Sequence, residues 1–431
     1  MPSFSSPSSI KQSVWFAYDP QCATYLRENL SKMSPGDIWC AEFDSSNSSI
    51  TPQLTLDKYL GDPVRQLTYK HFPTEEPNIN VPVYDSTKPE MNKIEYLENF
   101  LSNQCWRSAI DWTTTYFQQQ KQQQSAEYYH LWFIRFACLV KIRHFQTVET
   151  EFESFGNLYS RAYVNQQHGG SILPFTLRLL YAEMPYYSDK PHDSLDRLFR
   201  LLMMCNTIIS VTNDKKQIND LWCHRRLRVL YSISNCYVIM KRIDSIVDIL
   251  EQIAKSDKKN QHFIYLLIAR VLLQFGDEIN AQKAMDESIK LNTDGDDNQD
   301  YQLQLLLTKG LFALFRNDYD LCNETFLDVL FQTMNVKEQT IATNNNCVCL
   351  LYMSQMKEAL RLFEFLIHPQ PPKQLEKQTI HESVIYNICT IYELESFRFL
   401  QKKCELLHYI HKHVPDGFQL SALKLQTQPT H

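Results

Sequence analysis

The stretch A-T-N-N-N-C-V-C-L-L-Y-M-S-Q-M-K-E-A-L-R-L-F-E-F-L, residues 342–366, decides the fold. Its apolar residues recur at the three- and four-residue spacing of amphipathic helices. A small residue, Cys347, is followed twelve positions later by Ala359, then by Phe363 and Leu366. Pro371 stands where a second helix would end. Small residues at that spacing let two antiparallel helices approach closely, and a large apolar residue fills the hole beside them.

The same set recurs upstream. The first marker is Ser234, Ala269, Gly310 and Cys347, at spacings of 35, 41 and 37 residues. The second is Ile246, Ala281, Cys322 and Ala359, followed by Leu250, Met285, Phe326 and Phe363, and then by Ile253, Ser288, Val329 and Leu366. A helix pair repeated at little over 34 residues is the tetratricopeptide pattern, with the excess length placed in the turns. The expectation is an all-α helical solenoid with helix pairs near 227–260, 262–295, 303–336, 340–373 and 379–412. The array spans 226–413, and 414–431 reads as a C-terminal tail.

Residues 91–225 also read as helical, with an irregular connector at 155–175. Residues 1–90 differ. They hold ten of the eighteen prolines and two serine-rich patches. Proline removes backbone donors and biases its predecessor away from helix. This part reads as extended or poorly ordered, with a short helix near 23–33 and Trp15, Phe16 and Trp39 as docking candidates.

Composition narrows the chemistry. The chain has only 9 glycines in 431 residues. No G-x-G, no Gly-Lys and no G-x-S-x-G occurs, so dinucleotide, P-loop and nucleophile-elbow sites lack their backbone-exposing residues. The net charge of −6 argues against nucleic-acid binding, which needs a basic stripe. The twelve cysteines are scattered with no C-x-x-C, and read as free thiols in a reducing compartment. No secretory leader or membrane-spanning stretch is read, so a cytoplasmic location is expected.

Several local patterns suggest chemistry without completing it. Asp294-Gly295 in the acidic turn 293–300 lacks calcium-loop spacing. His168-Gly169-Gly170 resembles an oxyanion loop but has no nucleophile partner. His408 and His411 share a helix face and, with nearby His413, suggest a zinc site, yet no Cys–His finger surrounds them. Histidines at a helix C-terminus explain them equally. The run Asn344-Asn345-Asn346 suggests the carboxylate clamp of chaperone adaptors. That clamp also wants Lys and Asn where this chain has Leu307 and Leu311. No catalytic, cofactor or metal residue is assigned.

A family resemblance rests on an ordered set of segments. These are NQCWRSAID at 103–111, LWFIRFACLVK at 131–141, FESFGNL at 152–158 and GGSILPFTLRLLYAE at 169–183. DSLDRL at 193–198, YSISNC at 231–236, ATNNNCVCLLY at 342–352 and HESVIYNICTIYELES at 381–396 follow, with GDPVR at 61–65 before them. The chain thereby resembles the TRAPP complex subunit 12 family of tetratricopeptide-repeat proteins over about residues 60–425. Members usually carry a longer N-terminal extension than this sequence holds.

The resemblance implies a non-catalytic scaffold subunit of the TRAPP III vesicle tether, acting in endoplasmic reticulum-to-Golgi transport and autophagy. It implies other TRAPP III subunits as partners and a Rab-type small GTPase reached through the complex. It also implies peripheral association with the early secretory pathway, the ER–Golgi intermediate compartment and the Golgi. A chaperone-linked adaptor is the alternative. Candidate interaction residues are Lys309, Thr343, Asn344 and Asn345 on first helices, and Tyr392, Glu393, Glu395 and Arg398 in the C-terminal pair.

Overall fold

A computed structural model describes residues 52–56, 58–73, 82–119, 126–163, 171–211, 216–292, 299–333, 335–367 and 381–425. The short helix near 23–33, His168–Gly170, the acidic turn at Asp294-Gly295 and Pro371 lie outside them. Among the described residues there are seventeen α-helices and no strand. The all-α repeat architecture expected from periodicity is what the chain adopts.

The chain forms two compact units. The first comprises 1–62, 82–249 and 415–417; the second comprises 63–81, 250–414 and 418–431. The first unit contains α2 (Ile94–Ser102), α3 (Trp106–Gln119), α4 (Ala126–Lys141), α5 (Phe145–Glu153), α6 (Phe175–Tyr187), α7 (Pro191–Val211) and α8 (Lys216–Ile239). The second contains α1 (Pro63–His71), α10 (Gln261–Gln274), α11 (Glu278–Leu291), α12 (Gln299–Phe315), α13 (Tyr319–Gln332), α14 (Val336–Tyr352), α15 (Met356–Ile367), α16 (Glu382–Glu395) and α17 (Phe399–Ile410). Helix α9 (Ile243–Ser256) is divided between the two.

One turn geometry makes the helix pairs. Gln104, Arg143, Asp189, Lys241, Gly276, Asn317 and Ser354 all have positive φ, between 56° and 88°. In each case the next residue's N–H donates to the carbonyl five positions back, as in Asp277 to Leu272 and Gln355 to Leu350. This is the Schellman closure of a helix C-terminus, in which one left-handed residue satisfies the last carbonyls. The following helix starts two residues later. Asp277 and Asp318 then cap it by accepting from Asn280 N–H and Leu321 N–H. The turn within a pair therefore has constant length, and insertions fall between pairs.

The same pairs occur before residue 226. In α6/α7, Ala182, Ser194, Leu198 and Leu201 occupy the marker register and are all fully or nearly fully buried. Ser194 Oγ donates to the Ala182 carbonyl at 2.7 Å. In α14/α15, Cys347 Sγ does the same to the Ala359 carbonyl at 3.3 Å. Small polar side chains thus bond the facing backbone where the two helices touch.

Ser234, Ala269, Ala281, Cys322, Phe326, Cys347, Ala359 and Phe363 are buried. A Cβ on Gly310 would lie 2.7 Å from the Phe326 ring, which has no exposed surface to move into. In the fourth repeat Ile367 is buried, while Leu366 is only partly so. Cys322 of α13 and Cys349 of α14 bring their sulfur atoms together, with Cα atoms 6.7 Å apart.

The first unit also carries buried charge. Arg135 and Glu151, neither side chain exposed, form two parallel bonds of 2.8 Å. Arg135 also donates to Thr114 Oγ1 and to the Leu56 carbonyl, and Glu151 accepts from Thr55 N–H. Asp111 accepts from the N–H groups of Leu60 and Gly61. The non-helical residues 52–56 and 58–62 are thereby held by side chains of α3, α4 and α5.

Residues 414–425, read as a tail, bury Val414, Phe418, Ala422 and Leu423 in the second unit. Asp416, itself in the first unit, accepts from Arg107 N–H, Ser108 N–H and Ser108 Oγ at 3.0, 2.8 and 2.7 Å. It caps α3, where Cys105 has no side-chain oxygen to do so. Burial pushes the carboxyls of Asp111 and Asp416 up to about 6 against the opposing hydrogen bonds.

Gly310→Leu is expected to cost about 1–3 kcal/mol by overpacking against Phe326, read as a lower Tm; an unchanged Tm would refute the helix-pair register. A second expectation concerns pH. Both carboxyls are raised above their ordinary 3.8, so the folded state binds protons that the unfolded chain does not. Their contribution to stability therefore grows as pH falls through about 6 and is lost on going back up. The stability gap between wild type and Asp416→Asn should be more favourable to wild type at about pH 5 than at about pH 7, measured by urea unfolding.

Candidate docking surface

The first helices of the later pairs share a polar ladder. Arg270 of α10 donates to Thr308 Oγ1 and to the Gln304 carbonyl and side chain on α12, at 2.7–2.9 Å. Gln304 donates to Glu338 of α14 at 3.4 Å. Asn387 of α16 donates to Asn344 Oδ1 of α14 at 2.7 Å. Burial lowers the Arg270 guanidinium from its ordinary value. Arg270, Gln304, Glu338 and Asn387 were not singled out by sequence. Their partners lie one repeat away, at about 34–43 residues, and only a correct repeat register would align them.

The predicted first-helix residues fall into different environments. Lys309 is exposed, Thr343 is buried, and Asn344 and Asn345 are half-buried. Asn344 also donates to Asn345 Oδ1 at 3.4 Å. Its carboxamide oxygen thus joins two helices. Asn346 is fully buried with neither amide atom hydrogen-bonded.

In the C-terminal pair, Tyr392 is buried and donates to Glu364 Oε1 at 3.2 Å. Lys402 Nζ sits 5.1 Å from its ring centroid. Burial, with the Glu364 carboxylate beside it, raises the Tyr392 hydroxyl. Glu395 pairs with Lys402 at 2.6 Å. Glu393 accepts from both Lys403 and Lys424, and those bonds hold its carboxyl below the usual range. Lys403 has no exposed side-chain surface and also donates to the Lys424 carbonyl. Arg398 stands exposed at the start of α17. Tyr392, Glu393 and Glu395 therefore bind α16 to its neighbours, and Glu393 and Arg398 are the two exposed residues of the four.

The histidines read as possible ligands lie among other rings. His408 lies edge-on to Phe72 at 5.2 Å, with His411 5.8 Å away. Among the described residues no group of three His, Cys, Asp or Glu side chains could hold a metal ion.

A different surface carries the apolar exposure. Phe315, Tyr352 and Leu394 each come five residues after the small residue of their first helix, Gly310, Cys347 and Cys389. All three are exposed, Tyr352 at 65% and Leu394 at 67%. Ile279 opens the second helix of its pair at 73%, and Phe397 in the last turn is fully exposed. These positions lie on the edge formed by the turns within pairs. Arg316 reaches Glu278 of the preceding pair at 2.6 Å, and Tyr319 stacks on Tyr352 of the following one at 4.9 Å. Scattered single exposed hydrophobics are ordinary, whereas these share one edge.

The helix-pair architecture, with polar ladder and apolar edge, can be set against known proteins. No family model matches the chain. The chain is similar to trafficking protein particle complex subunit 12. It is 31% identical to the mouse protein of that name over 440 aligned positions, covering 95% of this chain and 54% of the mouse protein. It is 30% identical to the human protein over 416, covering 89% of this chain and 55% of the human one. The chain thus spans about half the length of these curated relatives. Among the described residues no helix is long and apolar enough to cross a membrane.

Glu393→Ala is expected to lower stability by about 3 kcal/mol, because it leaves the buried Lys403 ammonium without its carboxylate. Glu395→Ala removes only a partly exposed pair and should cost under about 1 kcal/mol. Urea unfolding of both variants checks the order; equal losses would show that Lys403 finds another partner.

Proposed function

We propose that the chain is a non-catalytic scaffold subunit of the TRAPP III vesicle tether. It acts in endoplasmic reticulum-to-Golgi transport and autophagy, and touches membranes only through the assembled complex. A Rab-type small GTPase is engaged by the complex and not by this chain alone. Its place is the cytoplasmic side of the ER–Golgi intermediate compartment and Golgi. The similarity to subunits named for such a complex supports the partner class. The row of exposed apolar side chains along the turn edge, Ile279, Phe315, Tyr352, Leu394 and Phe397, carries the mechanism. Aromatic anchors of this kind supply most of the energy of a protein–protein interface. Lys309 and Arg398, both exposed, are proposed as polar contacts flanking that edge.

The chaperone-adaptor reading has less support. Leu307, where that clamp needs a cation, is buried, and Asn344 is already bonded to Asn387. An enzymatic reading is also weak. Burial pushes the Cys347 and Cys389 thiols up to about 12, which leaves them protonated and unreactive at neutral pH.

Removing residues 379–431 would be a poor test, because it also deletes the Asp416 cap of α3. A better one changes Tyr352 and Leu394 together to Ser. The variant should keep its circular dichroism and Tm, since both side chains are exposed. Its recovery of other TRAPP subunits from cytosol should fall at least about tenfold, as expected when two interface anchors are lost. Full recovery would move docking to another surface.

A further inference from the structure

The first unit holds a second charged centre that no scaffold role uses. Arg178, on α6, is buried. Its Nη1 donates only to the thioether of Met204, at 3.6 Å, and its Nε has no partner. No described carboxylate bonds to it. A guanidinium stays charged in proteins, and a buried charge is ordinarily paired.

Its neighbours add positive charge. Arg225 of α8 is also buried and lies over the rings of Phe175 and Trp222, at 5.0 and 4.6 Å. Phe175 is one turn before Arg178 on the same face of α6, and its ring meets that of Trp222 at 5.9 Å. The indole N–H of Trp222 is buried without a hydrogen-bond partner. Arg178, Arg225 and Arg226 all act on the buried Cys205 thiol of α7, and Arg178 and Arg200 both act on the Tyr159 hydroxyl. Burial lowers Arg178 itself, with only Tyr159 and Cys205 opposing. Arg178 Nε and Trp222 Nε1 are thus two buried donors left without an acceptor on neighbouring helices.

We propose that this cluster, built on Arg178 and Trp222, binds a phosphate-bearing anion. A phosphate monoester brings close to two negative charges and three acceptor oxygens, and the guanidinium fork matches it in a bidentate way. The site accounts for the unpaired Arg178 Nε and Trp222 Nε1 together. The phosphate belongs either to a soluble molecule or to a lipid headgroup.

The test uses the full chain and three probes: inorganic phosphate, inositol hexakisphosphate, and vesicles carrying a phosphorylated phosphatidylinositol. Thermal unfolding is compared with chloride at equal ionic strength, and vesicle binding is read by flotation. Wild type should show a phosphate-specific rise in Tm. Arg178→Met should lose that response and, without ligand, be at least as stable as wild type, because a bare buried charge has been removed. Trp222→Phe keeps a ring beneath Arg225 and should bind roughly tenfold more weakly. A response to the soluble probes assigns a soluble ligand, and a response to vesicles alone assigns a headgroup. Absence of any phosphate-specific response overturns the site, as does an equal response in Arg178→Met or in Trp222→Phe.

Discussion

The close approach of two helices across a three-residue turn is the constraint on which the rest depends. Helix α12 can lie against α13 because Gly310 has no side chain where Phe326 sits. The left-handed residue before the second helix directs the chain back on itself. Only one of the seven such residues is glycine, although a side chain there costs about 1–2 kcal/mol. The chain accepts that cost in six turns, so turn geometry is not set by glycine. It is set by the Schellman bonds and by the burial that each pair gains.

Once pairs are formed, the position of every other feature follows. The polar ladder from Arg270 to Glu338 exists because equivalent positions on successive first helices face one another. The apolar edge exists because Phe315 and Tyr352, which end α12 and α14, and Leu394, next to last in α16, lie just before a turn, outside the packed seam. Repeats that bury one face and expose one edge produce extended binding surfaces by stacking alone.

The later helix pairs were legible in the sequence because Ser234, Ala269, Gly310 and Cys347 are all small. The earlier pairs follow the same register but disguise it. Phe136 stands where α4 would show a small residue, and it packs among Phe152 and Phe155 with ring centroids 4.2 and 5.7 Å away. Ala182 and Ser194 do show the signature, yet a long connection separates them from the pair before. For the surface, sequence pointed to polar residues, of which Thr343, Tyr392 and Glu393 support the fold. The exposed edge was missed because Phe315 and Tyr352 look like core residues until the turn geometry is known. The buried ties of Asp111, Arg135 and Asp416 join residues far apart in sequence, and periodicity carries no signal for them.

Asp416 has a consequence for the order of synthesis. It accepts from a helix N–H that lies 309 residues earlier. At ribosomal rates of about 5–20 residues per second, α3 waits roughly 15–60 s for that carboxylate. Helix α1, made early, likewise waits for α16 and α17, against which Val64 and Leu67 are buried. Neither unit can therefore complete itself as it leaves the ribosome. A nascent chain stalled before residue 416 keeps bare amides at one helix and an uncovered apolar face at another. Those are features that chaperones recognise, so completeness of translation is written into what the folded surface hides.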